Sequence, residues 1–192
     1  MNVHSGVSTT KEIILGAAFE LFAERGFHAS TMPELATRAG VGTGTIYRYF
    51  QGKEDIGNAL FRYWKGRYAA EVLATIPPEG SWRARFGAFW QGMARFSQEH
   101  PGVLEYLEFH HHSSYLDEKS RAQSTASTDA VLGLISVGQA EGALIAAPPI
   151  LLFAMVYGSF LRLVRMGAAG RIELTPEVWA LAEERAWSMV RS

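Results

Sequence analysis

Apolar residues along this chain recur at spacings of three and four positions, and no segment keeps the strict alternation of a half-buried strand. In the first apolar segment, for example, Ile14, Ala18 and Leu21 fall on one face of a helix. Glycine and proline interrupt the pattern and divide it into nine segments. The pattern predicts an all-α fold whose helices cover residues 11–25, 32–39, 43–50, 53–76, 81–99, 102–112, 118–141, 150–166 and 176–190.

The first two predicted helices carry start and stop signals. Glu12 follows Thr9 by three residues, and Glu34 follows Thr31 by three, which is the spacing of a capping box. Gly26 stands where a C-terminal glycine would end the first helix. We therefore expect helix starts at both threonines.

The second and third predicted helices are short and are joined by a tight glycine turn, as in a helix-turn-helix. On a helical projection at about 100° per residue, Ile46 and Phe50 of the third helix lie on one side. Gly44, Thr45 and Arg48 lie on the opposite side. Ile46 and Phe50 are therefore expected in the core, whereas the opposite face is free to enter a DNA major groove.

The aromatic and basic residues around this face suit contacts with DNA phosphates. Tyr47 and Tyr49 flank the anchoring side by about 80°, so their hydroxyls point towards the two groove walls, although core packing is the ordinary role of such aromatics. Lys53 begins the next helix, where an anion is favoured. Arg48 can donate two hydrogen bonds to guanine, a contact that discriminates between bases by about 1–3 kcal/mol. The predicted DNA-contacting residues are Thr31, Thr43, Gly44, Thr45, Tyr47, Arg48, Tyr49 and Lys53.

Residues 14–61 include AAFELFAERGF and MPELATRAGVGTGTIYRYF, and Lys53 follows them. This segment closely resembles the DNA-binding domain of the tetracycline-repressor (TetR) family. The resemblance implies a homodimeric transcriptional regulator, usually a repressor, that a small molecule releases from its operator. It implies no enzymatic activity and no cofactor. Gly42 departs from the serine that is usual at the start of the third helix, but glycine is a tolerable cap.

The resemblance also implies a division of the chain into two domains. Residues 1–55 are expected to form a three-helix helix-turn-helix domain that binds DNA. Residues 56–192 are expected to form a larger helical domain for ligand binding and dimerisation. A dimer would place two recognition helices on a palindromic operator in double-stranded DNA.

Aromatic residues are concentrated after the start of the fourth predicted helix. Ligand sites are mostly apolar with a few polar groups, so this stretch is a candidate wall for a small apolar or aromatic effector. Its spacing of three and four means that much of it is also expected in the core. The candidate effector-binding residues are Trp64, Tyr68, Phe86, Phe89, Trp90, Met93, Tyr106, His110 and Tyr115.

The last two predicted helices are apolar over wide faces. Excess apolar surface must be covered, and pairing in a homodimer covers it. The candidate interface residues are Phe153, Val156, Tyr157, Phe160, Trp179, Ala182, Ala186 and Met189.

A run of three histidines raises the alternative of an enzyme or a metal-dependent binding protein. The run covers residues 110–112, with His100, Glu105 and Glu108 nearby. Adjacent histidines on a helix point about 100° apart and cannot all bind one ion. The sequence has no nucleophile elbow, phosphate loop or metalloprotease motif, so we expect no metal site and no catalysis. An activator, or a regulator with a protein partner, also remains open.

Composition and charge further narrow the possible classes of protein. The chain has 192 residues and no cysteine, which excludes disulfides, thiolate zinc sites and iron–sulfur clusters. The net charge is −1, but residues 1–67 hold 8 Lys/Arg against 6 Asp/Glu, a net of +2, which leaves −3 for the remainder. The uncharged run at 142–161 is split by two prolines into pieces too short for a bilayer, and the first ten residues lack a signal-peptide core. We expect a soluble, cytoplasmic protein with no membrane partner.

Overall fold

The structure is a computed structural model that describes residues 9–109 and 112–192. Over these residues the chain forms helices and no named strand, with one isolated bridge between Leu144 and Arg191. The helices are α1 Thr10–Arg25, α2 Met32–Ala39, α3 Thr43–Tyr47, α4 Lys53–Leu73, α5 Trp82–Glu99, α6 Val103–Phe109, α7 Glu118–Ala140, α8 Pro149–Ala168 and α9 Pro176–Val190. The predicted all-α fold is confirmed.

Side-chain caps set the starts of the first two helices. The Thr9 hydroxyl accepts from the backbone N–H of Glu12, whose carboxylate accepts from the Thr9 N–H at 2.8 Å. Thr31 and Glu34 repeat the arrangement at the start of α2. Both predicted capping boxes are present, and Gly26 stands at the predicted stop of α1.

Apart from α6, whose end at Phe109 adjoins residues outside the described ranges, two helices end three residues earlier than predicted, at Tyr47 and Leu73. After each end the chain keeps turning through tighter bonds. The N–H of Tyr49 donates to the carbonyl of Ile46 at 2.9 Å, and that of Ile76 donates to Leu73 at 3.1 Å. Such three-residue turns commonly finish a helix, so the apolar spacing continues past the end of the α-helical bonds.

The chain divides into two compact units. The first consists of the chain up to Gly66 together with Glu105–Gln123, and the second consists of Arg67–Leu104 and Ser124–Ser192. The predicted domain boundary between residues 55 and 56 stays a prediction.

In the first unit α1 packs on α2, and α2 packs on α3. The buried apolar core includes Ile14, Phe22, Leu35, Ile46, Phe50, Ile56 and Leu60. The later segment joins this unit through specific contacts. The Tyr115 ring stacks on Phe27 with centroids 3.8 Å apart, and the Asn58 amide donates to the Tyr115 carbonyl at 2.9 Å.

In the second unit α9 packs against both α5 and α8. The largest buried side chains are Trp90, Met93, Phe96, Leu152 and Phe160. The Arg83 guanidinium on α5 donates to the Glu183 carboxylate on α9 at 2.6 Å, which joins these two helices through a partly buried ion pair.

Candidate DNA-binding surface and apolar cavity

The turn between α2 and α3 depends on a glycine. Gly40 has φ 66° in the left-handed region, which glycine adopts without strain. The N–H of Val41 then donates to the carbonyl of Ala36 at 3.1 Å, which closes the end of α2. Gly42 starts α3 without a side-chain cap. The turn thus fixes where α3 begins and which of its faces meets the core.

The helical projection of the third segment agrees with burial. Ile46 and Phe50 are buried, whereas Tyr47 is 54% exposed and Tyr49 is 41% exposed. Arg48 is also exposed. The structure therefore separates an anchoring side of this segment from an exposed side that carries two tyrosine hydroxyls and one guanidinium.

Three other predicted DNA-contacting residues lie on α3. Gly44 is exposed, and Thr43 and Thr45 are half-buried. The Arg48 guanidinium, at the end of α3, has no hydrogen-bond or ion-pair partner within the described part of the chain. A charged group that is exposed and unpaired is available to an outside partner.

The hydroxyl of Thr31 is engaged in the cap of α2. It donates to the Glu34 carboxylate at 2.8 Å and accepts from the Glu34 N–H at 3.4 Å. These bonds from Thr31, with the nearby Arg25, hold the pKa of Glu34 below its usual value. Thr31 is nevertheless exposed and stands at a helix N-terminus, where the free N–H groups favour an anion.

The Lys53 ammonium is engaged inside the first unit. It donates to the carbonyls of Phe27 at 2.8 Å, His28 at 3.2 Å and Ser30 at 2.7 Å. It also lies 4.7 Å from the centre of the Phe27 ring. An ammonium has three donors, so a direct phosphate contact of this group requires an exchange of these bonds. Its predicted DNA contact stays a prediction.

Most basic side chains between Arg38 and Arg67 have acidic partners. The ion pairs are Arg38–Glu24, Arg62–Asp117, Lys65–Glu108 and Arg67–Glu71. The net positive charge of residues 1–67 therefore does not translate into a row of free cations. Of the six basic residues from Arg38 to Arg67, Arg48 alone lacks an acidic or carbonyl partner among the described residues.

The second unit contains an apolar cavity of about 80 Å³. Its lining side chains come from α5, α7, α8, α9 and the connecting turns. Its lining residues are Ile76, Trp82, Arg85, Phe86, Phe89, Val131, Leu134, Ile135, Leu144, Leu152, Phe153, Val156, Trp187 and Val190. A concave apolar site with few polar groups is typical of a small-molecule pocket.

Two of the candidate effector residues, Phe86 and Phe89, line this cavity. The others do not line it: Tyr68, Trp90 and Met93 are buried in the second unit, and Trp64, Tyr106 and Tyr115 belong to the first unit. His110 lies outside the described residues. For all of these the effector contact stays a prediction.

Sequence reasoning missed Arg85, which lines the cavity from the helix that carries Phe86 and Phe89. Trp82 belongs to the same aromatic stretch and also lines the cavity, although it is not among the candidate effector-binding residues. The signal was present, because positions 82, 85, 86 and 89 are three or four residues apart and share one face of α5. Lining residues from α7 and α9, by contrast, meet this face only through the tertiary fold.

Tyr106, His112 and Tyr115 form a buried polar network in the first unit. The His112 Nδ1 lies 2.5 Å from the Tyr115 hydroxyl, and its Nε2 lies 2.5 Å from the Tyr106 carbonyl oxygen. Burial raises the pKa of both tyrosines, that of Tyr106 well above its usual value. Both nitrogens of His112 are thus used inside the protein.

The predicted histidine cluster is only partly described, since residues 110 and 111 lie outside the described residues. Among the described ones, Glu71, Glu99 and His100 bring one ligand atom each within 4.8 Å of one another. Glu108, which the cluster hypothesis included, instead pairs with Lys65 at 2.9 Å. The expectation of no metal stays a prediction.

The candidate interface residues of α8 and α9 are mostly turned inward. Val156, Tyr157, Phe160, Trp179 and Ala186 are buried within the chain's own second unit, Phe153 lines the cavity and Ala182 is half-buried. Met189 is exposed. Other apolar residues of these helices are exposed: Ile150, Leu151, Met155 and Leu181. The predicted role of the two helices in a dimer stays a prediction, and these exposed residues were missed.

Comparisons with known proteins cover both parts of the chain. Residues 14–60 match the family model for bacterial regulatory proteins of the tetR family, and residues 66–192 match that of the tetracyclin repressor-like C-terminal domain. The chain is 25% identical over 174 residues to the fatty acid metabolism regulator protein of Bacillus subtilis strain 168, covering 90% of this chain and 84% of that protein.

Solved structures agree with these matches. A TetR family transcription regulator from Marinobacter aquaeolei VT8 has a TM-score of 0.86 at 24% identity, covering 95% of this chain and 96% of that one. A putative tetR family transcription regulator from Shewanella sp. PV-4 has a TM-score of 0.79 at 25% identity, covering 96% and 100%.

Proposed function

This chain belongs to the TetR family of transcriptional regulators, and we propose that it is a homodimeric repressor that a small apolar or aromatic effector releases from a palindromic operator. Members of this family regulate transcription and are not enzymes. The observation that best supports operator binding is the exposed side of the α3 segment, where the Arg48 guanidinium lies unpaired among the described residues. Because the partner is chromosomal DNA, we place the protein in the cytoplasm.

The proposed contacts divide into two roles. Arg48 and Thr45 read base edges in the major groove, and Gly44 allows the backbone to approach them. The hydroxyls of Tyr47 and Tyr49 bind phosphates. The side chains of Thr31, Thr43 and Lys53 are proposed to bind phosphates as well. The three carbonyl bonds of Lys53 support a further role for that residue, because they fix the loop between α1 and α2.

The exposed apolar surface of α8 and α9 supports the dimer. Helix α8 is long and apolar enough to cross a membrane by length and composition, yet only 17% of its most apolar window is buried within the chain. A single helix of this kind is weak evidence for a membrane span. Leu151 and Met155 of α8 and Leu181 of α9 are exposed. A second copy that covers these side chains removes apolar area from water.

The apolar cavity supports the proposal that an effector controls DNA binding. Helix α4 contributes residues to both compact units, since it runs from Lys53 to Leu73. We propose that a ligand in the cavity shifts this helix and changes the spacing of the two recognition helices. The ligand must bind the DNA-incompetent state more tightly for this to work. That a Bacillus subtilis relative is named a fatty acid metabolism regulator is in line with an apolar effector.

Selection of binding sites from a random double-stranded DNA pool tests the proposal. We expect a palindrome with half-sites about one helical turn apart, as two recognition helices require. Arg48→Ala is expected to relax the base preference at one position of each half-site, by about 1–3 kcal/mol of discrimination. Tyr47→Phe is the matched control, since it removes a phosphate contact and weakens binding to all sequences alike.

Two results would overturn the proposal. Enrichment of no sequence by the wild-type protein would remove operator binding altogether. Equal effects of Arg48→Ala and Tyr47→Phe on base preference would contradict the assigned division between reading bases and positioning the helix.

A further inference from the structure

The cavity of the second unit has one charged side chain in an otherwise apolar lining. Arg85 contributes this charge from α5, and the neighbouring lining side chains are aromatic or aliphatic. The Arg85 guanidinium lies over the Trp82 ring, with its central carbon 4.4 Å from the ring centre. Stacking on an indole orients a guanidinium but satisfies none of its hydrogen-bond donors.

The donors of Arg85 have no protein partner among the described residues. Its Nε is buried without a hydrogen bond, and no carboxylate lies within ion-pair distance. The nearby acids are engaged elsewhere. Glu141 accepts from the Trp82 indole N–H at 2.6 Å, and Glu183 accepts from Arg83 at 2.6 Å. A buried donor left without a partner is destabilising, so this arrangement favours an acceptor from outside the chain.

We propose that the cavity binds an apolar monocarboxylate, whose carboxylate accepts hydrogen bonds from Arg85 and whose hydrocarbon part fills the apolar cavity. The inference rests on the proposed effector function and names the class of ligand for that site. A guanidinium matches a carboxylate with two parallel hydrogen bonds. One guanidinium balances one negative charge, which favours a monoanion over a phosphate dianion.

The size of the cavity sets the length of the ligand. At about 80 Å³ it is smaller than the 150 Å³ engineered cavity that accepts benzene, so some opening accompanies binding. We therefore assign a short or medium-chain acid and use octanoate as the probe, with 1-octanol as the uncharged probe of equal chain length.

Binding is measured without DNA, by calorimetry and by the emission of the tryptophans, since Trp82 and Trp187 line the cavity. We expect octanoate to bind wild-type protein at least about tenfold more tightly than 1-octanol, because only the acid pairs with the guanidinium. Arg85→Gln is expected to weaken octanoate binding by about tenfold or more and to change 1-octanol binding by less than about twofold.

Arg95→Gln is the matched control. Arg95 lies on the same helix, is exposed and does not line the cavity, so the substitution removes the same charge without touching the site. Its octanoate affinity is expected to equal that of wild type. Arg85→Lys keeps the charge without the forked donors, and we expect an intermediate affinity.

Three outcomes would overturn the carboxylate site: no binding of octanoate, equal binding of octanoate and 1-octanol, or equal losses in Arg85→Gln and Arg95→Gln. A separate arm adds octanoate to the complex with the selected DNA. If octanoate binds through Arg85 but leaves that complex intact, the carboxylate site stands and its proposed role in DNA release is overturned. If no DNA is selected, the ligand measurements still decide the inference.

Discussion

Lys53 shows how one side chain holds a loop in place. Its ammonium donates to three carbonyls between residues 27 and 30. Without the ammonium these partly buried carbonyls would lose a charged hydrogen-bond donor. We expect Lys53→Met to lower the free energy of unfolding by about 2 kcal/mol, because hydrogen bonds to charged groups are worth about 1.5–3 kcal/mol each and water replaces part of them. Urea unfolding measures the loss.

Lys119→Met is the control, because Lys119 is exposed and its substitution removes the same charge. A loss of less than about 0.5 kcal/mol in Lys53→Met would show that water replaces the three bonds fully. DNA binding by Lys53 variants is best measured well below their unfolding temperature. Partial unfolding would otherwise reduce DNA binding and be mistaken for the loss of a phosphate contact.

Tyr106 links stability to alkaline pH. Burial holds its pKa well above the usual value, so the folded protein keeps the phenolic proton at a pH where the unfolded chain releases it. The unfolded state then binds fewer protons, and stability falls as the pH rises above about 10. Between pH 8 and pH 11 we expect this group to cost about 1 kcal/mol, which Tyr106→Phe abolishes.

Urea unfolding at the two pH values measures the difference for wild type, Tyr106→Phe and the exposed-site control Tyr47→Phe. The control is expected to keep the wild-type loss. If Tyr106→Phe also keeps it, ionisation of other groups accounts for the alkaline loss, and the burial of Tyr106 does not.

Residues whose role depends on local spacing were predictable from the sequence. The exposed side of Tyr47 and Arg48 and the buried side of Ile46 and Phe50 follow from helix periodicity alone. The role of Lys53 in holding the loop was not predictable, because its acceptors lie more than 20 positions earlier in the chain. Arg85 lies on a helix face that is visible in the sequence, but that it has no acidic partner among the described residues could be seen only in the fold.

At the scale of elements, α3 is short and starts without a cap. It has five residues, and Gly42 at its N-cap makes no side-chain hydrogen bond. Gly42 has φ −70° and ψ 146°, and an added Cβ meets only Thr45 Oγ1 at 3.9 Å, so serine fits without strain. We expect Gly42→Ser to raise the free energy of unfolding by about 0.5–1 kcal/mol through the cap and a stiffer unfolded chain.

Gly42→Ala is the control for this substitution. It adds the Cβ without a hydroxyl, so it reports the backbone effect and leaves the cap out. Equal stabilities of the serine and alanine variants in thermal unfolding would show that the hydroxyl makes no cap at the start of α3.

Element starts were predictable where a side chain makes the cap, as at Thr9 and Thr31. Element ends were less predictable, because the final turns after Tyr47 and Leu73 keep the apolar spacing while their hydrogen bonds tighten. The assignment of Glu105–Gln123 to the first compact unit was out of reach, since it depends on contacts such as Asn58 with Tyr115, 57 positions apart.

At the scale of the whole molecule, charge pairing changes what the sequence suggests about DNA affinity. The net charge of +2 over residues 1–67 favours attraction to DNA, but Arg38, Arg62 and Lys65 are held in ion pairs. The proposed phosphate contacts come largely from uncharged hydroxyls. Such contacts release few counterions, so specificity is expected to depend on geometry more than on overall electrostatic attraction.

We therefore expect a shallow salt dependence for binding to the selected DNA. A dimer that neutralises about two to four phosphates gives a slope of about −2 to −4 for log K against log salt, which fluorescence anisotropy between 50 and 300 mM KCl would measure. Arg48→Ala is expected to change this slope by less than about 1, because a residue that reads a base adds little to phosphate neutralisation. A slope steeper than about −6 would mean that the ion pairs of Arg38, Arg62 and Lys65 open on DNA, and the phosphate contacts would then have to be reassigned to those side chains.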